Sequence, residues 1–164
     1  MKKCTKCLEI QPLSNFSKNG KKFGIRSNCK KCDYDRKNKF LSTERGFLEA
    51  IYRNMINRKE ASDNGNNRGK VYAVEFTFEE LINKWNDHKL KYGQNCIYTG
   101  EPILHERNKN QIRGNQISID RLDNNKPYTL DNIVFCSSRA NWIKGQITID
   151  MCKKVLEIYN EIQS

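Results

Sequence analysis

With 164 residues, 37% of them apolar, and a mean hydropathy of −0.86, the chain suits one modest domain or two small ones and is lean for a single large core. Lys and Arg outnumber Asp and Glu by 30 to 19, and the whole surplus lies in residues 1–70, which hold 18 basic and 7 acidic residues against 12 and 12 in the remainder; so lopsided a cationic half suits a polyanion such as nucleic acid, whereas a merely solvated surface needs no such asymmetry. No apolar run approaches the roughly 20 residues of a membrane span, Met1-Lys2-Lys3 opens onto cysteines rather than an apolar leader, and no Lys-rich helix carries a bulky apolar face, so export and a membrane partner are both disfavoured.

Cys4-x-x-Cys7 and Cys29-x-x-Cys32 open the chain, separated by 21 residues. Two thiolate pairs on turns, brought together by an intervening hairpin, make a tetrahedral four-sulfur site for Zn²⁺. Four thiolates leave no open position for water, so the zinc is expected to be structural, and it supplies most of the folding free energy of so short a segment. Phe16, Phe23 and Ile25 are available to cover it. Seven cysteines, an odd number, with no export signal also fit a reducing, cytoplasmic compartment and metal rather than disulfides. Lys18, Lys21, Lys22, Arg26, Lys30 and Lys31 ride on this module and read as phosphate contacts. Tyr34 and Phe40 are aromatic residues for which a core position and base stacking both stand open.

Thr43–Lys59 reads as a helix with Thr43 at its N-cap and Phe47, Leu48, Ile51, Tyr52, Met55 and Ile56 on one face. That face is expected to dock onto the C-terminal unit, and the polar side can lie along a duplex; both can hold at once. Ser62–Lys70 is polar, rich in Asn and Gly, and reads as a hinge. Thr77-Phe78-Glu79-Glu80 is a capping box opening a helix to about Lys91, with Gly93 as its stop. Phe78, Leu81, Ile82 and Trp85 face inward, and His88 falls on its surface. Ile117–Leu122 and Ile133–Cys136 read as strands joined by the turn residues Asn124–Pro127, and Arg139–Lys144 as a helix. A last helix over Asp150–Ile162 turns Met151, Val155, Ile158 and Ile162 inward, with Cys152 a buried thiol. The fold class is therefore α+β, divided into a zinc-stapled module (1–36), a basic helical linker and hinge (37–70) and a C-terminal unit (71–164). No heptad repeat marks an oligomer interface.

Within the C-terminal unit, Tyr98-Thr99-Gly100, Ser118-Ile119-Asp120-Arg121-Leu122-Asp123, Tyr128-Thr129-Leu130-Asp131-Asn132 and Asn141-Trp142-Ile143-Lys144 follow one another. Together these resemble the HNH (His-Me finger, ββα-metal) endonucleases of phage and homing type, over about residues 76–144. The resemblance implies a ββα-metal unit with flanking helices and a metal-dependent DNA endonuclease, nicking or cutting duplex DNA in a bacterial host cell. It implies Asp120 and Asn141 as ligands of one Mg²⁺ or Mn²⁺, with Asn132 bridging the loop backbone and Lys144 holding a phosphate oxygen. Arg121 stands where the commonest pattern has a histidine general base. Arginine cannot accept a proton near neutral pH, but it can clamp a phosphate. Asp123, as base or second ligand, Tyr128 and His105 are the alternative bases. Many members hold a further zinc on two more cysteine pairs. Here Thr99 and Arg139 are read in the second-cysteine places, leaving Cys96 and Cys136 as core thiols. The alternative is a non-catalytic zinc-containing DNA- or RNA-binding protein on the same scaffold, which Arg121 keeps open. A zinc-stapled protein-interaction module fits the charge least.

Overall fold

The computed structural model describes residues 1–20, 24–63, 73–105 and 114–163, and over these the chain is α+β, with five α-helices and three two-stranded antiparallel sheets. Lys21, Lys22 and Phe23, most of the expected hinge and residues 106–113 lie outside the described residues. No described helix is long and apolar enough to cross a membrane.

The first sheet pairs β1 (Lys2–Lys3) with β2 (Ile10–Gln11) around a tight turn that carries Cys4 and Cys7. A single 3-10 turn at Leu13–Asn15 leads into β3 (Phe16–Lys18), which pairs with β4 (Ile25–Cys29) so that Phe16 faces Cys29 across the ladder. Cys29 then ends β4 and begins α1 (Lys30–Leu41), its sulfur accepting the Cys32 N–H at the helix start. The second cysteine pair is thus the first turn of a helix, not a free turn. Cys4, Phe16 and Cys29 are buried together, with Ile25 and Cys32 packed against them. That is too small an apolar core to hold a segment of this length unaided.

α2 (Glu44–Asp63) follows after two residues. Thr43 caps it, its hydroxyl accepting the Gly46 N–H at 3.1 Å. A Cβ on Gly46 would stand 2.1 Å from the Phe40 carbonyl oxygen, so this close passage from α1 to α2 requires glycine. The helix runs past Lys59, taking Ser62 and Asp63 out of the expected hinge. Its apolar face, Leu48 and Met55 foremost, packs into the larger core with Leu81, Trp85, Ile103, Ile133 and Phe135. α3 (Phe78–Tyr92) carries the complete capping box: Thr77 Oγ1 accepts the Glu80 N–H and the Glu80 carboxylate accepts the Thr77 N–H at 2.7 Å. Gly93, at φ +66°, stops it.

β5 (Ile117–Arg121) and β6 (Ile133–Ser137) form an antiparallel pair in continuous register, with Asp120 opposite Val134. α4 (Ser138–Lys144) springs directly from β6, capped by Ser137, whose hydroxyl accepts the Ala140 N–H at 3.1 Å. α5 (Ile149–Gln163) closes the chain.

Three expectations are overturned. Met151, Val155, Ile158 and Ile162 of α5 are 53%, 65%, 44% and 75% exposed, so that face is turned to solvent. Helical period marks an apolar stripe but does not supply the surface to cover it. Cys152, on the same helix, is exposed rather than buried. His88 is buried rather than superficial. Three residues on from Trp85, it falls on the inward face, where it stacks on Trp85 at 5.2 Å and meets Phe135 edge-on at 5.4 Å.

Candidate metal centres

The turn that holds Cys4 and Cys7 is closed by two backbone bonds, Leu8 N–H to the Cys4 carbonyl at 3.0 Å and Cys4 N–H to the Glu9 carbonyl at 2.9 Å. Leu8 completes it at φ +64°, a left-handed conformation that costs a non-glycine residue about 1–2 kcal/mol. Across from it, β4 and α1 present Cys29 and Cys32. The four sulfurs all lie within 4.8 Å of one another. A tetrahedral Zn²⁺ with Zn–S bonds of about 2.3 Å requires sulfurs about 3.8 Å apart, and Cys4 and Cys32 stand at 3.9 Å.

The electrostatics also fit a cation. Hydrogen bonds, led by the Cys7 backbone N–H and joined by those of Cys29 and Lys6, hold the Cys4 thiol down at about 6. The hydrogen bond with Cys29 and the crowding by the other thiols push Cys32 up to about 12. Four sulfurs in one place cannot all ionise without a counter-charge, and a divalent metal supplies it. The cluster thus has the donors, spacing and charge demand of a structural metal site such as zinc.

A second turn of the same construction lies at Cys96–Glu101. Gly100 N–H bonds the Cys96 carbonyl at 2.8 Å, Cys96 N–H bonds the Glu101 carbonyl at 2.8 Å, and Gly100 sits at φ +71° where Leu8 sits in the first. The match continues across the hairpin. Cys29 N–H donates to Cys4 Sγ at 3.3 Å, and Ser137 N–H donates to Cys96 Sγ at 3.3 Å. Cys29 caps α1 and Ser137 caps α4. Counted this way, Cys96, Thr99, Ser137 and Ala140 occupy the places of Cys4, Cys7, Cys29 and Cys32. This corrects the sequence expectation, which set Arg139 and Cys136 there, one residue out of step. Burial works to raise the Cys96 thiol, but hydrogen bonds from the Thr99 hydroxyl and the Ser137 backbone outweigh it and lower it. Cys136 is packed in the core, and burial, helped by the Asp120 charge, pushes it up to about 12.

Between the hairpin, α4 and α2 lies a cleft of about 270 Å³. Asp120, Arg121 and Asn141 line it together with Tyr128, and α2 walls it with Asn54 and Arg58. Asp120 is 6% exposed and accepts two bonds on one oxygen: Oδ2 takes the Tyr98 hydroxyl at 2.5 Å and Lys144 Nζ at 2.7 Å. Burial and then the Asp120 bond hold the Tyr98 phenol far above its ordinary value, so it stays a donor. Asn141 Nδ2 donates to Ser118 Oγ at 2.9 Å and to the Ile119 carbonyl at 3.3 Å. Lys144 also reaches the Arg121 carbonyl, at 2.6 Å. Arg121 lies over the Tyr128 ring at 4.7 Å and donates to the Lys126 carbonyl at 2.8 Å.

Asn132 stands behind the cleft and ties the connecting loop. Its Oδ1 accepts the Asp123 N–H at 2.9 Å, and its Nδ2 donates to the carbonyls of Asp123 and Pro127 at 3.0 and 2.9 Å. Asp123 is drawn into the same turn, its Oδ1 accepting the Asn125 N–H at 2.9 Å and its Oδ2 facing Lys126 at 3.8 Å. It does not line the cleft, nor does His105, which sits within electrostatic range of Glu44. On the N-terminal module, Lys18, Arg26, Lys30 and Lys31 are all exposed. Sequence reasoning gave no role to Tyr98, although it opens the motif, nor to Asn54 and Arg58. Asn54 and Arg58 fall three residues after Ile51 and Met55 respectively, at the edge of the apolar face of α2, and that spacing is the available signal.

A scan against protein-family models, a search of curated proteins and a search of solved structures each find no match to this chain.

Proposed function

We propose that the protein is a metal-dependent DNA endonuclease of HNH type, with β5, β6 and α4 as its ββα-metal unit and a structural zinc on Cys4, Cys7, Cys29 and Cys32. The observation that carries the reading is the convergence of Asp120 and Asn141 on one cleft from different elements. Their chemistry suits Mg²⁺ or Mn²⁺, hard cations that take oxygen ligands. Asp120 commits only Oδ2 to Tyr98 and Lys144, and Asn141 commits its nitrogen to Ser118 and Ile119, leaving an oxygen of each to a cation. When bound, that cation neutralises charge on the scissile phosphate, activates water and stabilises the leaving oxygen.

The chain's own groups do the rest. Tyr98 fixes the Asp120 carboxylate. Asn132 holds the loop so that β5 keeps its register. Arg121 and, from α2, Arg58 and Asn54 meet the phosphodiester, Arg121 as a fork-shaped donor to developing negative charge. Lys144 pairs with Asp120; with a cation bound there, it would be the group to hold a phosphate oxygen. Of the alternative bases, Tyr128 lines the cleft and Asp123 and His105 do not; a bound cation would acidify its own water and so lessen the demand on any base. The exposed lysines and arginines of the zinc module grip duplex DNA alongside.

Zinc-loaded protein incubated with supercoiled plasmid and Mg²⁺ or Mn²⁺ should convert it to relaxed or linear form. Asp120→Ala and Asn141→Ala should each slow this at least about a hundredfold, the scale of losing a metal-site group, while DNA binding persists. Intact protein that binds DNA with a steep salt dependence but cuts it in neither metal would instead be the non-catalytic DNA- or RNA-binding protein that Arg121 keeps open.

A further inference from the structure

Along α1, against the edge of β4, runs a groove of about 430 Å³ lined by Arg26, Asp33, Tyr34, Arg36, Lys37 and Phe40. It is separate from the cleft that holds Asp120, and no step of the proposed cleavage uses it. Its composition is unlike that of a helix face built for folding. Tyr34 and Phe40 remain 54% and 44% exposed, although large apolar side chains are the main source of folding stability when buried. Three cations line the same space against one carboxylate. Asp33 pairs with both guanidiniums, Arg26 at 3.5 Å and Arg36 at 3.4 Å, and so holds them in place beside the rings.

Tyr34, Lys37 and Phe40 follow one another at three-residue steps. On a helix rising about 1.5 Å and turning about 100° per residue, this places the two aromatic positions about 9 Å apart along the axis and about 120° apart around it, at the two sides of the one groove, with a cation between them. Rings spaced this way offer a separate face to each of two bases. An alternation of aromatic faces with backbone-seeking cations is what a single nucleic-acid strand requires. A duplex keeps its base faces inside its own stack and has nothing to offer the rings. An apolar peptide would gain from the rings but would leave the groove's surplus of positive charge, three cations against Asp33 alone, unbalanced.

We infer that this groove binds an unpaired DNA strand, with bases stacked on Tyr34 and Phe40 and phosphates held by Arg26, Arg36 and Lys37. The inference rests on nucleic acid being the partner but not on cleavage, so it is tested by binding without Mg²⁺ or Mn²⁺. The full zinc-loaded chain is titrated into fluorescently labelled oligothymidylate and, separately, into a labelled duplex. Tyr34→Ala with Phe40→Ala should weaken oligothymidylate binding at least about tenfold, the scale of removing one stacked base, with an unchanged salt slope and an unchanged duplex affinity. Arg36→Ala with Lys37→Ala should instead reduce the single-strand salt slope by about 1.4, as expected when two phosphates are no longer neutralised. Tyr34→Trp should retain affinity and show its new fluorescence quenched by oligothymidylate. Zinc content equal to that of the parent shows that each variant is folded. A double aromatic variant that binds oligothymidylate as tightly as the parent, or an introduced indole whose emission is indifferent to it, overturns the groove assignment while leaving the endonuclease reading intact. Failure of the parent to bind either DNA overturns both.

Discussion

Asp120 keeps both of its partners on one oxygen, and the two differ in kind. Tyr98 is a neutral donor that burial keeps protonated, so its bond persists whatever else the carboxylate does. Lys144 is a cation, and another cation binding that carboxylate would take over the charge it balances. Nothing in the spacing of the motif distinguishes these two roles, because both depend on where α4 and the Cys96 turn bring their side chains. The same is true of His88. Read along the chain it is one more polar residue of a mixed helix. In the fold it is pressed between Trp85, Tyr92 and Phe135, with Nε2 2.8 Å from the Asn95 carbonyl oxygen. Burial holds the imidazole below the ordinary histidine range, with Lys84 adding to this and the Asn95 bond opposing it. The unfolded chain therefore takes up a proton more readily than the folded one. Stability from this site is fully present above the unfolded pKa of about 6.5 and is lost as pH falls below it towards the folded value. Urea midpoints should thus fall through this acidic window more steeply in the parent than in His88→Phe; parallel profiles would show that His88 does not carry the effect.

The elements divide by how much of their face is apolar. α2 and α3 are legible from the sequence because their buried stripes recur at helical spacing and because Thr77 and Glu80 form a complete cap. α1 is not, since KKCDYDRKNKFL buries only Leu41; beside its N-terminus stand Cys29, which caps it, and the four-cysteine cluster. α5 shows the converse, a clear apolar stripe that the fold leaves exposed. The two cysteine turns differ only in side chains. The hydrogen bonds that build the first recur around Cys96, but only the first keeps four sulfurs. The second turn packs against the large core, whereas the first buries only Cys4, Phe16 and Cys29. Removing zinc with a chelator should accordingly unfold β1 through α1, seen as a partial loss of helical circular dichroism, while the near-ultraviolet signal of buried Trp85 persists. Structural zinc supplies about 10–16 kcal/mol in comparable small modules, far more than this little core can replace. An unchanged helical signal after complete zinc removal would contradict the account.

At the scale of the whole molecule, the charge surplus sits at one end of the chain and the Asp120 cleft at the other, and α2 joins them. It starts beside α1 in the cationic half and continues for 20 residues, about 30 Å, to wall the cleft with Asn54 and Arg58. A polyanion held on the module can therefore run along α2 to Asp120. The charge split and the motif are visible in the sequence, and so is the apolar face by which the joining helix docks onto the C-terminal unit; that it meets β5 there is a matter of tertiary packing that no spacing shows. The central claim is that Asp120 of β5 and Asn141 of α4, remote in sequence, hold one cation between them. The most direct measurement is a Mn²⁺ titration of zinc-loaded protein followed by electron paramagnetic resonance, with Asp120→Ala and Asn141→Ala in parallel. One bound Mn²⁺ per chain in the parent, lost in each variant, is the predicted result; a parent that binds none, or variants that bind as the parent does, would contradict it.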